Sequence, residues 1–164
     1  MNKFDNRHTS SIRRADSRDC PVIAQMLAAL FSELDGGEEA QGDAPGKAQL
    51  EGTVRELIDG PARVWALVAE DENEDVEGVV LLNECAAIYA GGVFGEITEL
   101  YVKADARSRG VGANLVEAAR AFGGKKGWKR LEVGAPDMPR WQRTFDFYSR
   151  EGFELVGPRL RFLL

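Results

Sequence analysis

A short run with strand character, Ile97-Thr98-Glu99-Leu100-Tyr101-Val102, leads through a polar turn at Arg107 to Ala113 into a helical pattern. In that pattern Val111, Leu115, Val116, Ala119 and Phe122 recur at threes and fours, and a second apolar strand, Leu131-Glu132-Val133, follows. A whole helix between two strands makes a crossover, so the strands it joins run parallel. The centre of the fold is therefore a sheet with a parallel pair in it and a helix laid across that pair.

Gly110 and Gly112 fall where the turn becomes the helix, so backbone amides there can approach a ligand with no Cβ in the way. The first amides of a helix lack internal acceptors and sit at the positive end of its dipole, which suits a pyrophosphate. Arg107 and Arg109 add cationic charge at the same place. The dinucleotide fingerprint G-x-G-x-x-G is absent, because Leu115 stands where its third glycine belongs. The nucleoside-triphosphate loop ending in Gly-Lys-Ser/Thr is absent as well.

Arg107-Ser108-Arg109-Gly110-Val111-Gly112 instead resembles the Q/R-x-x-G-x-G/A signature of the GNAT superfamily, the acyl-CoA-dependent N-acyltransferases. The strand ending in Leu100-Tyr101-Val102 lies upstream at the family's spacing, and a long helix follows. Phe147-Tyr148-Ser149-Arg150-Glu151-Gly152-Phe153 is similar to the family's late F/Y-Y-x-x-x-G-F segment. The resemblance runs from Ile12 to the end of the chain. It implies a mixed α/β GNAT fold: a central, mostly antiparallel twisted sheet of six to seven strands, about four helices on both faces, and strands four and five parallel and splayed.

The other elements are read from periodicity. Met1 to Ser11 is a polar tail, and 12–164 is taken as one domain. Ile12 to Ala15 is a first strand, and Val22, Ile23, Met26, Leu27, Leu30, Phe31 and Leu34 stripe a first helix that starts near Cys20. Asp35 to Lys47 is glycine-rich and acidic, a loop that in the family overhangs the acceptor. Leu50 to Ile58 is a second helix closed by Gly60-Pro61, and Arg63 to Glu70 pairs as a hairpin with Val76 to Asn83. The fourth strand begins near Val93. The helix after the central turn ends at Gly123-Gly124, and a last helix starts at Pro139. Phe153 to Val156 and Leu160 to Phe162 are the final two strands.

Composition narrows the function. Net charge −6 argues against a nucleic-acid surface. No apolar run is long enough to cross a membrane, so the default location is cytoplasmic, with no membrane or nucleic-acid partner. Cys20 and Cys85 do not make a disulfide framework, and His8, the only histidine, excludes a histidine-built metal site or a serine-histidine triad. The metal expectation is none.

By resemblance, the co-substrate is acetyl-CoA, its diphosphate held at Arg107, Arg109, Gly110, Val111, Gly112 and Ala113. Its pantetheine arm lies along Leu100, Tyr101 and Val102, with the Leu100 amide on the thioester oxygen. The acceptor is a primary amine of a small molecule or peptide. A base must take its proton, and Glu96 and Glu99 are both candidates. Ideal alternation puts Glu96 on the face of Thr98, Leu100 and Val102 and turns Glu99 away. Glu96 also matches the catalytic glutamate of some histone-acetylating relatives, and because the family's bulge in this strand changes parity, Glu99 stays a close second. Tyr148 matches the family tyrosine that protonates the departing thiolate. One departure stands out: Trp141 occupies the place where many relatives carry a pantetheine-holding asparagine. The Lys125, Lys126, Lys129 and Arg130 cluster either complements the helix end or meets the coenzyme's 3′-phosphate. Two rival readings are a non-catalytic acyl-CoA sensor and a domain that binds another anion at the turn. A homodimer is expected from the resemblance.

Overall fold

The computed structural model describes residues 10–35, 46–61, 63–134, 139–157, 159–160 and 162. Of the expected tail, Met1 to Ser11, residues 1–9 lie outside these residues, as does 36–45 of the acidic loop; Ser11 begins the first strand, and Ser10 is buried with its hydroxyl donating to Glu77. In chain order the elements are β1 (Ser11–Arg14), α1 (Cys20–Leu34), α2 (Lys47–Asp59), β2 (Val64–Glu70), β3 (Val76–Ala87), β4 (Gly92–Val102), α3 (Val111–Lys126), β5 (Leu131–Val133) and α4 (Gln142–Arg150). The sheet runs β1-β2-β3-β4-β5, antiparallel throughout except for the parallel β4–β5 pair.

Alternation along the strands divides the core into two layers. Ala66, Val68, Val79, Leu81 and Tyr101 face α1 and α2, where Ile23, Met26, Leu27 and Val54 pack on them. Leu67, Ala69, Val80, Leu82 and Ile97 face α3 and meet Val111, Leu115, Val116 and Ala119. The start of α1 is fixed by a capped turn: Asp16 accepts from the Arg18 amide and Asp19 accepts from the Asp16 amide. Pro21 stands in the first turn, where its missing N–H costs nothing.

Three expectations are corrected. The sheet has five strands among the described residues, not six or seven. Residues 153–157, 159–160 and 162 have no strand pairing, and Leu155, Val156, Leu160 and Phe162 are exposed. Gly157 at φ 135° breaks an extended course there. Second, α3 runs through Gly123-Gly124 and ends at Gly127, which is left-handed at φ 75°. Gly123 is there for packing, since a Cβ on it would lie 2.8 Å from the Trp128 ring. Third, α4 begins at Gln142, because Pro139 and Arg140 form a turn ahead of it.

Trp128 is a wedge that sets where β4 and β5 meet. It packs against Trp65 and Phe122 at 5.9 and 5.7 Å between ring centroids, and its indole N–H donates to Glu84 at 2.7 Å. A Cβ on Gly95 would lie 2.1 Å from that ring. The ring cannot retreat without breaking both aromatic contacts and the hydrogen bond. Gly95→Ala is therefore expected to destabilise the fold by about 2–3 kcal/mol, an overpacking cost readable as a lowered midpoint in thermal unfolding.

Candidate active site

The candidate site is built on a defect in β4. Leu82 pairs with Ile97 and the next residue, Leu81, pairs with Glu99, so Thr98 is an extra residue in the strand. A bulge of this kind bends its strand and locally interrupts the ladder. Pairing with β5 stops at Ile97, opposite Val133, so among the described residues β4 has an open edge from Thr98 to Val102.

The backbone direction on either side of the bulge follows from three bonds. Gly95 N–H donates to Arg130 O at 3.0 Å, toward β5, whereas Lys103 N–H donates to Glu77 O at 2.9 Å, toward β3. The Val102 carbonyl accepts from Arg107 Nε at 2.9 Å on the outer side. Alternation back from Val102 turns the backbone groups of Leu100 to the same open edge.

The bulge also decides the two carboxylates. Glu99 pairs across with Leu81 and Glu96 with Asn83, and residues directly opposite share a face. Both glutamates therefore lie on the α1/α2 face, with Leu100 and Val102 on the α3 face. This corrects the ideal-alternation reading, which put Glu96 with Leu100 and Val102.

Their surroundings differ. Burial lifts the Glu99 carboxyl above the usual carboxylate range, the neighbouring charge of Glu96 adds to that, and the Thr98 hydroxyl opposes it. Glu96 is ion-paired to Arg159 and lies 3.7 Å from Cys85 Sγ. Burial, and then the charge of Glu96, raise the Cys85 thiol. Glu132, opposite Glu96 on β5, approaches Arg130 Nε at 2.8 Å, but Oε1 lacks hydrogen-bond geometry to any partner.

At the turn Ser108 and Gly110 are both left-handed, with φ 62° and 89°. The first helical bond of α3 runs from the Asn114 amide to Gly110 O at 3.0 Å. The amides of Val111, Gly112 and Ala113 precede it and have no helical acceptor. A Cβ on Gly112 would already touch Phe147 at 3.4 Å, which places α4 beside this helix start. Arg143 donates to the Ser108 hydroxyl at 3.2 Å, so α4 also braces the turn. Arg109 lines a polar depression with Asp71, Asp75, Glu77 and Lys103. Arg107 bonds Glu33 at 2.7 Å and lies over the Tyr101 ring.

Tyr148 is buried between Phe147 and Phe153, with centroids at 5.2 and 5.4 Å. Burial pushes its hydroxyl up to about 12, so it keeps its proton at neutral pH. Trp141 precedes α4 with the Arg140 guanidinium 5.3 Å from its ring. The basic cluster sits at the far end of α3, about 24 Å of helix from the turn. Lys126 stacks on Trp65 at 4.0 Å and Arg130 on Tyr89 at 4.9 Å. Lys126 and Arg130 are thus engaged with the fold at that end. Glu33 and Arg159 were missed from the sequence, because each reaches its partner across more than sixty residues and no local pattern marks them. Among the described residues no cluster of His, Cys, Asp or Glu is arranged to hold a metal, and no helix is long and apolar enough to cross a membrane.

An open strand edge beside a glycine-opened helix, on a sheet with one parallel pair, is the arrangement expected of an acyl-CoA-dependent transferase. Residues 61–155 match the family model described as the acetyltransferase (GNAT) domain, so the chain belongs to the GNAT acetyltransferase family. Solved structures share the fold. An aminoglycoside acetyltransferase from an uncultured soil metagenomic sample, in complex with trehalose, is 22% identical, with 99% of each chain covered and a TM-score of 0.72. A ribosomal-protein-alanine N-acetyltransferase from Brucella melitensis biovar Abortus 2308 is 19% identical, covering 96% of this chain and 100% of that one at a TM-score of 0.72. A transcriptional regulator from Bacillus halodurans C-125 is 18% identical, covering 95% and 100% at a TM-score of 0.74. No curated protein sequence matches the chain.

Proposed function

We propose that this acetyltransferase domain, residues 12–164, moves an acetyl group from acetyl-CoA to a primary amine by direct attack. The observation that carries the reading is the bulge at Thr98, which frees the Leu100 backbone at an open edge and puts Glu96 and Glu99 on one face. The amides of Val111, Gly112 and Ala113 take the diphosphate, and the edge at Leu100 to Val102 receives the amide-rich pantetheine arm. Glu99 accepts the proton of the attacking amine, directly or through water, as nitrogen bonds to the thioester carbon. The Leu100 amide donates to the oxygen that becomes negative, a kind of contact worth about 10²- to 10³-fold in rate. Tyr148 gives its proton to the sulfur as the carbon–sulfur bond breaks, and solvent restores it. We assign Glu96 to a charge pair with Arg159 beside the base, and the base itself to Glu99, because Glu96 already has a cation on it.

Mixing the protein with acetyl-CoA and a panel of amines, and following free thiol, tests this. Amine-dependent thiol release is expected. Saturable acetyl-CoA uptake with no release from any amine would favour a sensor. No uptake at all would overturn both.

A further inference from the structure

We propose that Glu33, near the end of α1, is a positioning residue for the acyl-CoA site and makes Arg107 a strut between that helix and the open edge of β4. The inference rests on the acetyl-CoA reading above and assigns Arg107 a different part in it. Arg107 opens the turn that leads to α3, and the sequence suggests a cation aimed at the diphosphate. Its guanidinium is already engaged on two sides: Nε donates to Val102 O at 2.9 Å, and Nη2 donates to Glu33 Oε1 at 2.7 Å. The Tyr101 ring lies beneath it at 5.2 Å, and the Tyr101 hydroxyl donates to the same Glu33 oxygen at 3.1 Å.

These contacts close a ring of consecutive constraints. Tyr101 and Val102 belong to the end of β4, Arg107 to the start of the turn, and Glu33 to the opposite layer of the fold. The strut fixes the first residue of the turn to the last residue of the strand. Between that point and the helix lie the left-handed Ser108 and Gly110, whose conformation sets the direction of the Val111 to Ala113 amides. Without the acid, Arg107 would gain rotamers and the turn would lose one of its anchors; Arg143 on Ser108 is another. Glu33 touches neither reacting atom, so its loss should appear in the affinity for acetyl-CoA more than in the chemical step.

The test is calorimetric titration of the full chain with acetyl-CoA, alongside steady-state kinetics. Glu33→Ala and Arg107→Ala should each weaken binding by about five- to tenfold, the range for losing a partly exposed charge-assisted bond. The double variant should be no weaker than the weaker single, because both break the same strut. Glu33→Gln keeps an acceptor for both donors and should recover part of the loss. In each variant KM for acetyl-CoA should rise more than kcat falls. Wild-type affinity in Glu33→Ala, fully additive losses in the double variant, or a fall in kcat with KM unchanged would overturn the strut. Failure of the wild type itself to take up acetyl-CoA would instead remove the reading beneath it, and the strut with it.

Discussion

Glu99→Gln is expected to lower kcat by about 10²- to 10⁴-fold, the range for removing a positioned general base. The amide keeps the size and polarity of the side chain and removes only its ability to take a proton. Glu96→Gln should cost much less, because Glu96 shares its charge with Arg159. The two are adjacent on one face, so exchanging their ranks would show that the base had been misassigned. A pH profile gives a second reading of the same residue. Burial raises the Glu99 carboxyl, so on lowering the pH the base is lost earlier than an ordinary glutamate would be. The rate should therefore fall through an acid limb lying above the usual carboxylate range. Glu99→Gln should lack that limb, and Glu96→Gln should shift it downward, since removing the Glu96 charge removes one cause of the rise.

Tyr148→Phe should reduce kcat by about 10²-fold or more and leave the affinity for acetyl-CoA unchanged. The phenyl ring still fills the place between Phe147 and Phe153, so neither packing nor the turn is disturbed. The hydroxyl is pushed up to about 12, which keeps a proton available for a thiolate throughout the neutral range. Acceptors of different basicity separate this step from proton removal. If Tyr148 serves only the departing sulfur, its loss should be felt for every amine alike. Turnover equal to wild type would take Tyr148 out of the chemistry and leave it as part of the packing around α4.

The sequence made the strand, turn and helix legible because each is local. Apolar alternation in 97–102, glycines at 110 and 112, and a helical stripe from Val111 to Phe122 all lie within a few residues of one another. The bulge was not placed, since Thr98 is an ordinary strand former and only pairing with Leu81 and Leu82 shows that it is extra. Hence ideal alternation alone puts the two glutamates on opposite faces when they share one. The end of α3 lies beyond the glycine pair for a related reason. Gly123-Gly124 looks like a helix stop, but Gly123 is small because Trp128 lies over it, a contact no window along the helix contains. The final strands failed on pairing: Leu155, Val156 and Leu160 have strand composition and, in the described fold, no neighbour to bond to. The Arg107 strut and the Arg159 pair needed partners from distant parts of the chain.

The extra residue in β4 has one more consequence. A chain shortened by deleting Thr98 would keep Ile97, Glu99, Leu100 and Tyr101 each in its present layer, because the spacer sits between two stretches already in phase across it. What would vanish is the kink. The straightened strand would carry its open edge past the end of β5 in a new direction, so a protein with every proposed catalytic group intact would have that edge re-aimed by a single missing codon.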